Sequence, residues 1–273
     1  MSNCNACPSQ SGCAKSENQC GVENNPVNNI KNVIGVMSGK GGVGKSSITT
    51  LIAKELKKQG YKVGIMDADI TGPSIPRMLK TTNQEIRSID GNIVPAETED
   101  GIKFISINLM VEDETKPVVW RGPVIAGAIK QFWNEVLWGE LDFLLIDMPP
   151  GTGDVPLTVG QSIPVTGMVM VSVPQDFVSM IVAKSINMIK MMNIKILGIV
   201  ENMSYIQCPD CDKRIQLFES GNTHQFLEEM AIPLLGELPM LASISNLSNP
   251  NYTKQDEYLE EVKVIVGNIL RQI

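Results

Sequence analysis

The segment GKGGVGKS at residues 39–46 constrains the fold more than any other feature of this 273-residue chain. It follows an apolar run and precedes a helical pattern, which is the strand–loop–helix context that the phosphate-loop motif G-x-x-x-x-G-K-[ST] requires. Glycines let successive backbone N–H groups converge on phosphate oxygens, and the helix start adds the positive end of its dipole. The sequence therefore predicts a nucleotide site whose contacts are Gly39, Lys40, Gly41, Gly42, Val43, Gly44, Lys45, Ser46 and Ser47.

The polar side chains of this loop suggest separate roles. Lys45 would supply a point charge toward the terminal phosphates, and the hydroxyl of Ser46 would bind Mg²⁺. Lys40 is a second lysine, which the plain motif does not require. Its spacing leaves two interpretations open: a cation that neutralises charge developing on the transferred phosphoryl group, or a solvated surface lysine.

The rest of the chain alternates short apolar runs with helical patterns, which predicts an α/β fold with a mostly parallel sheet and helices on both faces. In such sheets, ligands bind beyond the carboxyl ends of the strands. The predicted strands are 33–38, 62–67, 102–107, 142–147, 167–173, 196–200 and 234–238, and the predicted helices are 46–59, 125–138, 176–192 and 223–230.

Several of these strands end in carboxylates or an amide. Asp147 ends the apolar run FLLID, the Walker B pattern, and would hold the Mg²⁺ shell through water. The glycine- and proline-containing residues 148–154 follow it, as a switch loop or as a rigid turn. Asp67 and Asp69 end another strand, where one would orient the attacking water and the other the metal's water shell. Asn202 would read an adenine edge or would simply cap a turn.

Composition indicates one principal domain and argues against two classes of partner. Residues 1–30 have almost no aliphatic periodicity and read as a flexible tail before a domain at 31–273. The net charge of −7, without a basic cluster, argues against nucleic acid. No apolar run reaches the roughly 18 residues that cross a bilayer, and the start lacks a secretory pattern. We therefore expect a cytoplasmic protein without a membrane partner.

Six cysteines fall into two groups, and a reducing cytoplasm favours metal or redox chemistry over disulfides. Cys208 and Cys211 form a C-x-x-C pair, which is half of a tetrahedral site. In a twofold dimer, two such pairs would hold one bridging [4Fe-4S] cluster. A shared structural zinc and a thioredoxin-like redox pair are the competing interpretations.

The second group lies in the predicted tail. Its C-x2-C-x5-C-x6-C spacing supplies enough thiols for one cluster within a single chain. Incidental or labile thiols are the other interpretation. The four residues are Cys4, Cys7, Cys13 and Cys20.

Five segments together resemble the Mrp/ApbC family of iron-sulfur cluster carrier ATPases: GKGGVGKSS (39–47), DADITGPSIP (67–76), WRGP (120–123), LLIDMPPGTGD (144–154) and VENMSYIQCPDC (200–211). The loop with two lysines is of the deviant Walker A type. The resemblance implies an ATP-sandwich homodimer that binds and hydrolyses ATP with Mg²⁺, assembles a [4Fe-4S] cluster at the dimer interface and transfers it to apo iron-sulfur proteins.

The same resemblance suggests roles for individual residues. Lys40 would reach the nucleotide of the opposite subunit, Asp69 would be the switch aspartate, and Asn202 would contact adenine. Cys208 and Cys211 match the cluster-binding pair. In the tail, Cys4, Cys7 and Cys13 fit the last three positions of an amino-terminal cluster motif, its first position is missing, and Cys20 falls downstream.

Two other functions share the same nucleotide switch. A MinD- or ParA-like positioning ATPase would leave Cys208 and Cys211 to a structural zinc. For membrane attachment it would also need a basic helix face, whereas residues 254–273 carry four acidic and three basic side chains. An ATP-gated reductase like the nitrogenase iron protein would cycle electrons through its cluster instead of transferring it.

Overall fold

The computed structural model describes residues 24–69, 72, 74–81, 86–109, 122–174, 180–208, 210–211, 213–216, 221–240 and 259–273. The cysteines of the predicted tail lie outside these ranges, as do Trp120 and Arg121 of the WRGP segment. The elements in chain order are β1 (Asn29–Ser38), α1 (Lys45–Lys58), β2 (Val63–Asp67), α2 (Ile75–Met78), β3 (Arg87–Ile89), β4 (Asn92–Val94), β5 (Ala96–Glu97), β6 (Lys103–Ser106), a 3-10 turn (Ile107–Leu109), α3 (Gly122–Asn134), β7 (Glu140–Asp147), α4 (Asp154–Ser162), β8 (Gly167–Ser172), α5 (Met180–Met191), β9 (Ile196–Glu201), β10 (Tyr205–Gln207), β11 (Arg214–Gln216), α6 (Gly221–Met230), β12 (Leu234–Glu237) and α7 (Leu259–Gln272).

An eight-stranded sheet forms the centre of the protein. Its strand order is β12-β9-β8-β1-β7-β2-β6-β5, and two further pairs, β10-β11 and β3-β4, stand apart from it. All neighbours in the large sheet are parallel except β5, which pairs antiparallel to β6 at one edge. The expected mostly parallel sheet is therefore confirmed.

The sheet is covered on both faces because its strands are apolar on both faces. In β1, Val33 and Met37 belong to one buried cluster, while Ile34 and Val36 belong to another. This alternation follows from the twofold period of side chains along a strand. Strands buried on both sides read as continuous apolar runs, which is the pattern that predicted them.

Each face has its own set of helices. Helices α3, α4, α5 and α6 contribute buried side chains to the cluster that contains Met37. Helices α1, α2 and α7 contribute to the cluster that contains Ile34. In α7 the buried residues recur at helical spacing, as expected for an amphipathic helix that packs on the domain: Val262, Ile265, Val266 and Ile269.

All seven predicted strands form, but one predicted helix ends early. Helix α3 was expected to reach Trp138 and ends at Asn134. Beyond it, Val136 forms a parallel bridge with Ile93, so the chain is already extended there. The N–H of Leu137 donates to the carbonyl of Ile93 at 2.8 Å. A tertiary contact with the β3-β4 hairpin therefore overrides the helical pattern.

Ordered contacts begin before β1. The side-chain amide of Asn28 donates to the carbonyl of Val136 at 2.8 Å and accepts from the N–H of Gly139 at 2.8 Å. Asn25 donates to the side-chain oxygen of Asn92. The proposed boundary between tail and domain at residue 30 stays a prediction.

In the part of the chain that the structure describes, no helix is both long enough and apolar enough to cross a membrane.

Trp138 joins the helix layer to the sheet and offers a test of this packing. It is fully buried, its indole N–H donates to the carbonyl of Phe132 at 3.1 Å, and it lies against Gly64 of β2. Trp138→Ala should lower the free energy of unfolding by about 3–5 kcal/mol, because it leaves a large cavity. Urea unfolding followed by circular dichroism measures this loss.

The control is Met191→Ala at a side chain that is 85% exposed. It should change the free energy of unfolding by less than about 0.5 kcal/mol. Equal effects of the two substitutions would contradict the packing described here.

Candidate functional site

The carboxyl ends of β1, β2 and β7 meet at one edge of the sheet. Val36 and Asp67 both pair with Asp147, from opposite sides. The loops that leave these three strands surround an open cavity of about 230 Å³. Its lining residues are Ser38, Gly41, Gly42, Val43, Gly44, Lys45, Ser46, Ser47, Asp69, Gly72, Ser74, Met78 and Pro150.

The predicted phosphate loop forms one wall of this cavity. Gly42 and Gly44 have φ values of 82° and 85°, a region that other residues rarely adopt. Helix α1 begins directly afterwards at Lys45. Its first N–H groups lack partners within the helix and, with the dipole, favour an anion at this end.

Asp147 joins the loop to the sheet by accepting three hydrogen bonds. Lys45 Nζ lies 2.8 Å from Oδ1, and Thr49 Oγ1 donates to the same oxygen at 3.0 Å. Ser46 Oγ donates to Oδ2 at 2.5 Å. Sequence reasoning missed Thr49, although it follows Lys45 by four positions and so lies on the same face of α1. The carboxylate is fully buried, and these donors compensate its loss of water.

Two more carboxylates lie beside this cluster. Asp69 Oδ2 is 3.4 Å from Lys45 Nζ. Asp67 is fully buried and accepts from Ser106 Oγ at 3.0 Å. Burial, together with the negative charge of Asp147, raises the pKa of Asp67 to about 8.

Lys45 is the cation that balances these acids. Burial alone would lower the pKa of Lys45, but the charges of Asp147 and Asp69 outweigh it, so the pKa is raised. The ammonium group is therefore charged at neutral pH. The Lys45 ammonium group lies at the cavity wall, where a phosphate group could replace a carboxylate as its partner.

Residues 148–154 pass close to the phosphate loop. The N–H of Gly151 donates to the carbonyl of Ser38 at 2.8 Å, and Pro150 lines the cavity. Helix α4 then begins at Asp154. This segment is therefore joined to the start of the phosphate loop by the hydrogen bond between Gly151 and Ser38.

Lys40 and Asn202 lie on different sides of the loop. The Lys40 side chain is exposed, and its carbonyl accepts from Ser38 Oγ at 2.9 Å. Asn202 is only 1% exposed, and its side-chain nitrogen donates to the carbonyl of Val43 at 2.9 Å. Asn202 is not among the residues that line the cavity. Its expected contact with adenine stays a prediction.

The C-x-x-C pair lies at the tip of a hairpin. Strands β10 and β11 pair antiparallel, with Gln207 opposite Arg214, and the N–H of Cys208 donates to the carbonyl of Lys213 at 3.0 Å. Neither cysteine forms a disulfide; Cys208 is partly exposed and Cys211 is exposed. No group of three or more His, Cys, Asp or Glu side chains that could hold a metal ion forms among the described residues. The hairpin therefore offers two thiols, and a four-ligand site needs two more.

The base of this hairpin is fixed to the domain. The N–H of Ser204 donates to the carbonyl of Leu238, and the N–H of Met240 donates to the carbonyl of Tyr205. The Arg214 guanidinium lies 4.4 Å from the centre of the Tyr205 ring, a cation–π contact across the hairpin. Because β9 runs parallel to β8 and β1, the hairpin leaves the same sheet edge as the phosphate loop.

Two glutamates lie side by side at the ends of β9 and β12, next to the base of the hairpin. Glu201 at the end of β9 pairs in register with Glu237 of β12, and Glu201 is only 2% exposed. Ser204 Oγ donates to Glu201 Oε2 at 3.2 Å. Burial and the neighbouring charge of Glu237 raise the pKa of Glu201 to about 7.

Comparison with known proteins gives matches along nearly the whole chain. A family model described as NUBPL iron-transfer P-loop NTPase matches residues 29–273. The iron-sulfur cluster carrier protein of Clostridium perfringens is 44% identical over 275 residues, which cover 96% of this chain and 96% of that protein. The protein of the same name from Methanocaldococcus jannaschii is 41% identical over 99% of this chain and 96% of its own length.

Solved structures agree with the fold. A nucleotide-binding protein from Archaeoglobus fulgidus, in complex with ADP and with cobalt found by PIXE, is 43% identical, has a TM-score of 0.71 and covers 81% of this chain and 86% of its own. The MinC:MinD complex of Aquifex aeolicus has a TM-score of 0.63 at 16% identity over 88% of this chain and 96% of that one. This second match shows a shared fold alone.

Glu201 gives a pH-dependent prediction. Between its ordinary pKa of 4.5 and its raised pKa of about 7, the folded protein binds more protons than the unfolded chain. Stability therefore falls as pH rises through this window. Glu201→Gln cannot ionise, so its free energy of unfolding should rise relative to wild type between about pH 5 and about pH 8.

Urea unfolding at several pH values measures this difference. Glu140→Gln is the matched control, because Glu140 is exposed and its hydrogen bond to Lys62 lowers its pKa instead. The control should show a constant difference from wild type over the same range. A constant difference for Glu201→Gln as well would contradict the raised pKa.

Proposed function

Because the chain belongs to the family described as NUBPL iron-transfer P-loop NTPases, we propose that it binds and hydrolyses ATP to carry an iron-sulfur cluster. It assembles a [4Fe-4S] cluster between two copies of itself and passes it to apo-proteins. The observation that carries this proposal is the hairpin: two cysteines that form no disulfide lie at its tip, at the same end of the sheet as the phosphate loop.

The nucleotide half of the proposal rests on the geometry around Asp147. ATP places its β- and γ-phosphates against the loop amides and Lys45. Ser46 would hold Mg²⁺ through its hydroxyl and Asp147 would hold it through water, a donor set of oxygens that suits this hard cation. The short Ser46–Asp147 hydrogen bond already brings these two groups together. The similar Archaeoglobus protein is in complex with ADP, which supports nucleotide binding by this chain.

Hydrolysis needs groups that act on the terminal phosphate. Asp69 lies on the cavity wall close to Lys45, where it orients the attacking water or the metal's water shell. The exposed position of Lys40 suits a side chain that reaches the nucleotide of a second copy. There its charge would stabilise the negative charge that develops during phosphoryl transfer.

The cluster-binding part of the proposal rests on the number of cysteine ligands that one chain supplies. One hairpin supplies Cys208 and Cys211, and a [4Fe-4S] cluster takes four thiolates. A twofold dimer places the same pair from each chain at its axis, which completes the set. A zinc ion shared in the same way is the competing cargo, and metal analysis separates the two.

The path from the nucleotide to the cysteines is short. Val43 of the phosphate loop contacts Asn202, and the chain runs from Asn202 directly into the hairpin. On the other side of the loop, Gly151 contacts Ser38. We propose that ATP closes the dimer around the cluster, and that hydrolysis opens the interface and loosens it.

The proposed setting follows from charge and composition. A net charge of −7 disfavours nucleic acid as a partner. The acceptors are apo iron-sulfur proteins in the cytoplasm, where reducing conditions keep the exposed Cys211 from forming a disulfide. No membrane partner is proposed.

Lys45→Ala tests the nucleotide site. Loss of its charge removes the cation that faces the phosphates, so tight MgATP binding should be abolished in calorimetric titration. Lys58→Ala, at an exposed lysine in the last turn of the same helix, should bind ATP like wild type. Tight ATP binding by Lys45→Ala would contradict the assignment of the site.

Cys208→Ala/Cys211→Ala tests the cargo site. After anaerobic reconstitution, wild type should contain about four more irons per two chains than this double variant, with matching sulfide. Ile215→Ala, which alters the same hairpin but keeps both thiols, should retain its iron. Zinc in place of iron, or iron content unchanged by the double substitution, would overturn the proposed bridging cluster.

A further inference from the structure

Asn202 is held rigidly at the start of the turn that follows β9. Its backbone N–H donates to the carbonyl of Ser172 at 2.8 Å, at the end of the neighbouring strand β8. Its side chain is almost fully buried and donates to the carbonyl of Val43, a residue 159 positions away. The side chain of Asn202 therefore links the end of the sheet to the phosphate loop by a hydrogen bond.

The phosphate loop packs closely against the side-chain amide of Asn202. A Cβ atom built on Gly44 would lie 2.3 Å from Asn202 Nδ2, a distance that no side chain can occupy. Gly44 also has a φ of 85°. Glycine at this position is thus required both by the backbone conformation and by the space that Asn202 fills.

Fixing one carbonyl fixes the next N–H group. In a planar trans peptide, the C=O and N–H bonds point in opposite directions, and the described chain has no cis peptide bonds. The carbonyl of Val43 points at Asn202, which does not line the cavity, so the N–H of Gly44 points the other way. Gly44 does line the cavity, which puts this N–H on the cavity side of the peptide, where the proposed nucleotide places its phosphates.

We propose that Asn202 is a positioning residue for phosphate binding, which acts by holding the Val43–Gly44 peptide with its N–H toward the phosphates. Its effect is independent of the base, because it operates through the loop backbone. This inference rests on the proposed nucleotide binding but not on the iron cargo. It differs from a role in reading adenine, in which the same amide would contact the base.

Inorganic tripolyphosphate separates these two roles because it has the phosphates of ATP without the base. Binding of MgATP and of magnesium tripolyphosphate is measured by calorimetry on the metal-free protein. Asn202→Ala should bind both ligands about tenfold more weakly, so that the ratio of the two affinities stays at its wild-type value.

The matched control is Asn28→Ala. Asn28 also donates its side-chain amide to a backbone carbonyl, that of Val136, but at the opposite end of the sheet. Its loss should leave both affinities unchanged while it tests the general effect of removing such a hydrogen bond. Thermal unfolding of both variants confirms that the protein measured is folded.

If Asn202→Ala does not fold, Asn202→Leu replaces it, because leucine has a similar shape and carries neither a donor nor a charge. Weakening of both ligands at a constant ratio supports the positioning role. Weaker ATP binding with unchanged tripolyphosphate binding would overturn the positioning role in favour of base reading. Unchanged binding of both ligands would rule out both roles. Wild-type protein that binds neither ligand would contradict the proposed function itself.

Discussion

The buried carboxylate of Asp147 is the interaction on which the rest of the site depends. It ends the central strand β7 and accepts hydrogen bonds from Lys45, Ser46 and Thr49 in the first turns of α1. A buried carboxylate that has lost its water needs hydrogen-bond donors, and the buried ammonium group of Lys45 needs an opposite charge. These contacts hold the start of α1 at the carboxyl end of β7. They therefore also position the phosphate loop, which directly precedes α1.

The phosphate loop is held from two further directions. Gly151, in the segment after β7, donates to Ser38 directly before the loop, and Asn202 contacts the loop from the turn after β9. The second contact leads to the hairpin that carries Cys208 and Cys211. The nucleotide site and the two cysteines therefore lie at one connected end of the sheet, and on this connection rests the proposal that the cargo responds to ATP.

Much of this arrangement could be predicted from the sequence because the patterns are local. The seven apolar strands and the phosphate loop each depend on residues adjacent in the chain. Lys45, Asp69 and Asp147 were assigned to one site because parallel strands end at the same edge, and the structure brings them together.

The remaining features depend on contacts between distant residues. The end of α3 at Asn134 depends on the pairing of Val136 with Ile93, and the buried partner of Asn202 lies 159 positions away. The short strands β10 and β11 carry too few residues to show a period. The raised pKa of Glu201 depends on its burial in the fold and on the charge of Glu237, a neighbour in another strand. None of these contacts leaves a pattern within a single segment.

Anaerobic native mass spectrometry of the reconstituted protein shows whether one cluster bridges two chains. If it does, the dominant species has the mass of two chains plus one [4Fe-4S] cluster and separates into single chains when the iron is chelated. A single chain that carries its cluster alone through Cys208 and Cys211, or a dimer that holds only zinc, would rule out the bridging cluster.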